Sequence, residues 1–161
     1  MNGRLEAAYH EAGHALLAYL SDYHLMGPID LKSAGHGGLY VGLSKAKCLQ
    51  AGKKADPAIA REPEVARDFA VILVAGFVAE QIAAEKNPAV TPDAAFAVPD
   101  HENLARVLAA ANLSRKTDRY EELARRKLTD HWDQVQSLAN VLLRDGACPS
   151  ETADEIFSNN A

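Results

Sequence analysis

The chain has 161 residues, of which 48% are apolar and 24% are charged, so its length and composition fit a single globular domain over residues 1–161. A formal net charge of −5, without a basic stripe, argues against a nucleic-acid-binding surface. Cys48 and Cys148 lie far apart, which excludes a disulfide framework and a Cys-rich zinc site. No secretory segment precedes the first helix, and the longest apolar run, 69–79, is too short to cross a bilayer. We therefore predict a cytoplasmic protein without a membrane segment.

The first predicted element is a helix over residues 3–21, with Asn2 as its N-cap. It carries an H-E-x-x-H motif from His10 to His14, and because positions i and i+4 share a helix face, both imidazoles can bind one cation. Apolar neighbours indicate a buried helix, where two imidazoles need partners. The motif predicts a zinc ion held by His10 and His14, with Glu11 as the base that activates a zinc-bound water. The alternative interpretation is a helix whose two histidines bind nothing.

Two β-like runs follow, over residues 29–33 and 38–44, and a glycine-rich stretch over 34–37 separates them. This pattern predicts a β-hairpin, with His36 as a turn residue. Two interpretations of the hairpin stand side by side. It either offers an edge strand to an extended peptide or only covers the first helix.

A mobile loop is predicted over residues 48–62 and a helix over residues 63–86. Glu80 lies on the apolar stripe of this helix, and a buried carboxylate is stable only when it is paired, protonated or close to a metal. Three small residues of the helix would let another helix approach closely: Ala75, Gly76 and Ala79.

Three prolines predict a loop over residues 87–99, and Asp100 is a good N-cap for a helix that ends near Asn112. A long helix over 117–145 and a short helix over 150–157 complete the chain. The predicted fold is therefore mainly helical, with a small β-element.

A catalytic zinc site usually has three protein ligands and one open position. The motif supplies two of them. Four other residues are candidates for the third ligand: Asp100, Glu80, His101 and Glu102. Glu80 would otherwise hydrogen-bond a ligand rather than contact the metal.

The segment Tyr9-His10-Glu11-Ala12-Gly13-His14-Ala15-Leu16 resembles the zinc motif of the FtsH-type ATP-dependent metalloproteases. Other segments resemble parts of that family in the same order. These are residues 38–43 (its short sheet segment), 76–81 (its Gly-x-x-Ala-Glu-Glu helix motif), 100–105 (its Asp-led helix start) and 132–157 (its closing helices).

The resemblance implies a mainly α (α+β) fold, a helical zincin-like peptidase domain with a small β-hairpin or sheet. It implies His10, His14 and Asp100 as zinc ligands and Glu11 as the general base. It maps the first Glu of the family's helix motif to Glu80, which would hydrogen-bond a ligand. This sequence departs from the family in holding no G-x-x-x-x-G-K-[ST] phosphate loop, hence no ATPase module.

The leading hypothesis is a zinc metalloendopeptidase that hydrolyses unfolded protein or peptides. In the family the ATPase unfolds the substrate and the subunits form hexameric rings, so the resemblance implies a separate unfoldase and further copies of this chain as partners. The alternative is a non-enzymatic zinc-binding adaptor or assembly module that retains the peptidase fold. Glu11 favours the enzyme, because a purely structural zinc site needs no base.

Overall fold

A computed structural model describes residues 3–33 and 41–159. The predicted N-cap Asn2, the predicted turn at 34–37 with His36, and the beginning of the second predicted strand lie outside these residues. The described residues form seven α-helices: α1 Arg4–Leu20, α2 Lys45–Gln50, α3 Pro63–Lys86, α4 Ala94–Ala110, α5 Asp118–Asp130, α6 Trp132–Asp145 and α7 Ser150–Ser158. None of these helices is long and apolar enough to cross a membrane. The prediction of a mainly helical fold with a small sheet component is confirmed.

The β-structure consists of four short strands: β1 His24–Met26, β2 Ile29–Asp30, β3 Val41–Leu43 and β4 Ala147–Cys148. β1 pairs antiparallel with β3, and β2 pairs antiparallel with β4. The predicted hairpin between the runs at 29–33 and 38–44 is therefore wrong, because each run pairs with a strand from elsewhere in the chain. Short 3-10 helices follow at Leu31–Ser33 and Pro57–Arg61, so the predicted loop over 48–62 is wrong where α2 and the second 3-10 helix lie.

The core is built around α1 and α3, which cross at Gly13. A Cβ atom at Gly13 would come within 2.6 Å of the Ala79 Cβ and 2.7 Å of the Ala75 carbonyl oxygen. Only glycine fits here without a shift of the helices. This close approach confirms that the small residues of α3 admit a second helix, and it brings the histidines of α1 against α3.

The region before Asp100 differs from the prediction. Residues 94–99 belong to α4, whose N-cap is Asp93, and the Asp93 side chain accepts a hydrogen bond from the Ala95 N–H at 2.9 Å. Asp100 therefore lies inside the helix and is not its N-cap. Pro99 also lies inside α4, where the sequence predicted a loop because proline removes a backbone hydrogen bond.

The predicted helix over 117–145 is two helices, α5 and α6, which join at His131. α5 packs mainly against α3, and α6 packs mainly against α1. The largest fully buried apolar side chains among residues 3–33 and 41–159 are Leu16, Ile72, Leu73, Ile82, Leu108, Leu128, Leu138 and Leu142.

Candidate metal centre

Three donor atoms from two helices meet beside α3. α1 contributes His10 and His14, which are one turn apart, and α4 contributes Asp100. The His10 Nε2 lies 3.0 Å from the His14 Nε2, and the Asp100 Oδ2 lies 2.9 Å from the first and 3.0 Å from the second. The donors thus form a nearly equilateral triangle. Such a buried group can hold a metal ion.

The outer nitrogens of the two histidines are held by hydrogen-bond acceptors. The His14 Nδ1 lies 2.7 Å from the Ile72 carbonyl oxygen, and the His10 Nδ1 lies 2.7 Å from the Glu80 Oε2. Because a carbonyl oxygen only accepts, the hydrogen of neutral His14 must be on Nδ1. The Nε2 lone pairs then point into the triangle. In metal-binding histidines the hydrogen bond donated by the other ring nitrogen imposes this arrangement.

Glu80 is fully buried, with 0% of its surface exposed, and its two oxygens have different partners. Its Oε2 accepts from His10, and its Oε1 accepts from the backbone N–H of Asp93 at 2.9 Å. The carboxylate therefore joins α1 and α3 to the residue that begins α4. Glu80 contacts a candidate ligand and is not itself among the three clustered donors.

The triangle favours a cation at its centre. Burial of the His10 ring opposes its charged form, but hydrogen bonds to Asp100 and Glu80 outweigh burial and raise the pKa of His10 to about 9. Burial of Asp100 opposes its ionisation, but the charges and hydrogen bonds of His14 and His10 hold the pKa of that carboxyl well below its usual range. Two nitrogens and a carboxylate oxygen at 3 Å would otherwise repel one another, so a proton or a metal ion is required between them.

Glu11 lies beside the cluster on α1 and is 8% exposed. Burial raises the pKa of Glu11, and the charges of His14 and His10 partly offset that effect. A carboxylate whose pKa is raised toward neutrality is better matched to accepting and returning a proton than an ordinary one.

Gly76 of α3 forms the wall of the cluster. A Cβ atom at this position would lie 2.5 Å from the Nε2 of His10 and 2.5 Å from the Nε2 of His14. Any side chain at residue 76 would occupy the space toward which the Nε2 lone pairs of both histidines point. The sequence indicated only that Gly76 is small; its contact with the histidines appears once α1 is docked on α3.

The residues of the cluster fit a zinc ion. Two imidazole nitrogens and one carboxylate oxygen are a donor set that zinc prefers, and three protein donors leave a position open. In a tetrahedral site with bonds of roughly 2.0–2.1 Å the donors lie roughly 3.3 Å apart, close to the separations between these atoms. Two further features agree with a bound zinc ion. Gly76 leaves space beside both Nε2 atoms, and hydrogen bonds at the Nδ1 atoms hold the two imidazole rings in place.

Of the four candidates for the third ligand, the structure brings Asp100 to the histidines. His101 and Glu102 are exposed on α4 and lie outside the cluster. Two contributors were not anticipated from the sequence, the Ile72 carbonyl and Phe96, whose ring centre lies 6.1 Å from that of His10. Phe96 precedes Asp100 by four residues, a spacing that would have identified it had α4 been predicted to begin earlier.

Comparisons of this chain with protein-family models, with curated proteins and with solved structures found no match.

Proposed function

We propose that the protein is a zinc-dependent metallopeptidase of the FtsH-like kind. His10, His14 and Asp100 would hold the metal, Glu80 would orient His10, and Glu11 would be the general base. The observation that carries the proposal is the triangle of three buried donors with both histidine Nδ1 atoms already bonded to acceptors. The H-E-x-x-H motif adds a carboxylate beside that triangle.

A zinc ion bound there would polarise a peptide carbonyl and increase the acidity of a water molecule. Residues of the chain would carry out the proton transfers and orient the metal ligands. Glu11 accepts a proton from the attacking water, and then donates it to the leaving nitrogen as the peptide bond breaks. Glu80 keeps the Nδ1 hydrogen on His10, so the Nε2 stays available as a ligand.

For the substrate we propose an unfolded protein segment or a peptide, because residues 9–16 resemble the zinc motif of the FtsH-type enzymes, whose peptidase receives unfolded chains. A separate unfoldase and a homo-oligomer remain part of this proposal by resemblance to the FtsH-type enzymes. Both cysteines are free and buried, which agrees with a cytoplasmic location.

A second candidate is a non-enzymatic zinc-binding adaptor that retains the fold. One observation favours it: His10, Glu11, His14 and Asp100 are all at most 8% exposed, as in a structural site. Against it, the described residues bring three donors to the cluster, whereas structural zinc sites are usually closed by four.

Glu11→Gln separates the two candidates. We expect about one zinc per chain in both the wild-type protein and this variant, measured by elemental analysis of untagged protein. We expect cleavage of fluorescently labelled casein by the wild type, loss of that cleavage on chelation, and at least a 100-fold lower rate in Glu11→Gln. Glu102→Gln, which changes an exposed carboxylate of α4, is the matched control and should cleave normally. Undiminished cleavage by Glu11→Gln would reject the mechanism, and a zinc-loaded wild type that does not cleave would support the adaptor.

A further inference from the structure

The metal centre is shielded from solvent in this conformation. His14 is 1% exposed, His10 2% and Asp100 7%. A peptide carbonyl must reach within bonding distance of a catalytic metal. A polypeptide substrate therefore needs part of the surrounding structure to move.

The part of α4 that precedes Asp100 covers the histidines. Phe96 and Asp100 are four residues apart and thus on one helix face, and the Phe96 ring lies against that of His10. The tip of the Phe96 ring also lies near the start of α1, since a Cβ atom at Gly3 would be 3.7 Å from its Cζ atom. Ala97, the next residue of the same turn, is 1% exposed. We call residues 94–98 the cover.

Pro99 separates the cover from the rest of α4. Proline has no N–H, so the carbonyl of Ala95 receives no helical hydrogen bond from it, and its ring crowds that carbonyl. Beyond Pro99 the helix is anchored in the core by Leu104 and Leu108, which are 3% and 1% exposed. A bend at Pro99 can therefore displace Phe96 while Asp100 stays in place.

In the part of the chain that the structure describes, the cover is attached at its N-terminal end and on its inner face. Its N-terminal end is tied by the hydrogen bond from the Asp93 N–H to Glu80, and its inner face by Phe96 and Ala97. Val98 points outward and is 51% exposed. The energy needed to open it is accordingly small compared with that of moving the anchored part of α4.

We propose that residues 94–98 form a cover that opens by bending at Pro99 and so controls access to the metal centre. This inference rests on the proposed function, because it concerns entry of a substrate to that site. It assigns Phe96 as the residue that closes the centre and Pro99 as the hinge.

The test measures access to the centre in two ways, with four proteins: wild type, Phe96→Ala, Pro99→Ala and Val98→Ala. The first readout is the rate at which excess EDTA removes zinc from the loaded protein. The second is the rate at which diethylpyrocarbonate modifies His10 in the metal-free protein, followed by peptide mass spectrometry. Circular dichroism confirms that each variant is folded.

We expect Phe96→Ala to increase both rates about tenfold or more, since the ring no longer shields His10. Pro99→Ala restores one helical hydrogen bond and relieves the crowding, so both rates should fall about tenfold. Val98→Ala shortens an exposed side chain of the same turn and should leave both rates at the wild-type value.

Equal rates in all four proteins would overturn the proposal. An increase with Phe96→Ala but no decrease with Pro99→Ala would overturn it as well, because Phe96 would then shield the centre without a hinge. If the wild type binds no zinc while the modification rates follow the expected order, the cover stands and the proposed function fails.

Discussion

Replacing Gly76 by alanine is the most direct test of the metal centre, because this residue contacts both histidines and is not a ligand. The added Cβ would lie 2.5 Å from each Nε2 atom, whereas carbon and nitrogen in contact normally stay about 3.5 Å apart. Each imidazole must then retreat by roughly 1 Å. Neither ring is free to do so, since Glu80 and the Ile72 carbonyl hold their Nδ1 atoms at 2.7 Å.

The displacement of the two imidazoles determines how far zinc binding weakens. Zinc sites tolerate changes of about 0.2 Å in ligand distances, so a shift of roughly 1 Å in two ligands is far outside the allowed range. Loss of a single hydrogen-bond partner of a ligand weakens metal binding about 10–100-fold. We therefore expect Gly76→Ala to weaken zinc binding at least about 100-fold, or about 2.8 kcal/mol. Alanine is favoured over glycine in a helix by about 1 kcal/mol, which partly offsets the clash in the metal-free protein.

The assay is zinc affinity by competition with a chromogenic chelator, together with thermal unfolding of the metal-free proteins. Two other glycines serve for comparison. Gly13→Ala clashes with Ala79 and Ala75 and forces α1 away from α3, so it should lower the stability of the metal-free protein by about 1–3 kcal/mol as well as weaken zinc binding. Gly42→Ala meets no atom within 4 Å and should change neither quantity. Wild-type zinc affinity in Gly76→Ala would refute the assigned centre.

Three further outcomes are expected. Asp100→Ala should reduce the zinc content sharply, whereas Glu80→Gln should lower zinc affinity about 10–100-fold and retain more metal; the reverse ranking in elemental analysis would make Glu80 a ligand. Lys47→Met should lower the free energy of unfolding by about 1–3 kcal/mol in urea titrations, because the Lys47 Nζ donates to the carbonyls of Ala18 at 2.9 Å and His24 at 2.6 Å. An unchanged unfolding midpoint would contradict this expectation. Chelation should lower the melting temperature of the wild type but not of Asp100→Ala, since a ligand that binds only the folded state stabilises it.

The sequence predicted the helices that carry long apolar patterns. α3 begins and ends where the pattern and Pro63 indicated, and α1 differs from its prediction by one residue at each end. The apolar pattern did not indicate the break between α5 and α6, for a physical reason. His131 is the only residue between the two helices, so Leu128, Trp132 and Val135 keep helical spacing across the break.

The strands were not predictable in the same way. Strands of two or three residues carry almost no alternation, and their partners were chosen by how the helices packed. β4 follows α6 and pairs with β2, a pairing that no sequence pattern indicated. The assumption that neighbouring β-like runs pair with each other therefore produced the wrong hairpin.

Local spacing predicted that His10, Glu11 and His14 lie within one stretch of helix. That Asp100, 86 residues further along the chain than His14, meets the two histidines depends on tertiary packing. The sequence left four candidates for the third ligand. The position of α4 shows that Asp100 is the one that lies beside the two histidines. The prolines around it indicated a loop, and the side-chain cap at Asp93 together with the packing of Phe96 and Ala97 overcame that local preference.

Glu80 connects the cluster of candidate ligands to the residue that precedes the proposed cover. A carboxylate with 0% exposure is stable only because both oxygens are bonded, one to His10 and one to the Asp93 N–H. Its charge strengthens both bonds, so neutralising it in Glu80→Gln weakens the orientation of a ligand and the attachment of residues 94–98 together. We therefore expect this variant to lose zinc to EDTA faster than its reduced affinity alone explains. Gly76→Ala, which perturbs the ligands and leaves the cover intact, should show no such excess.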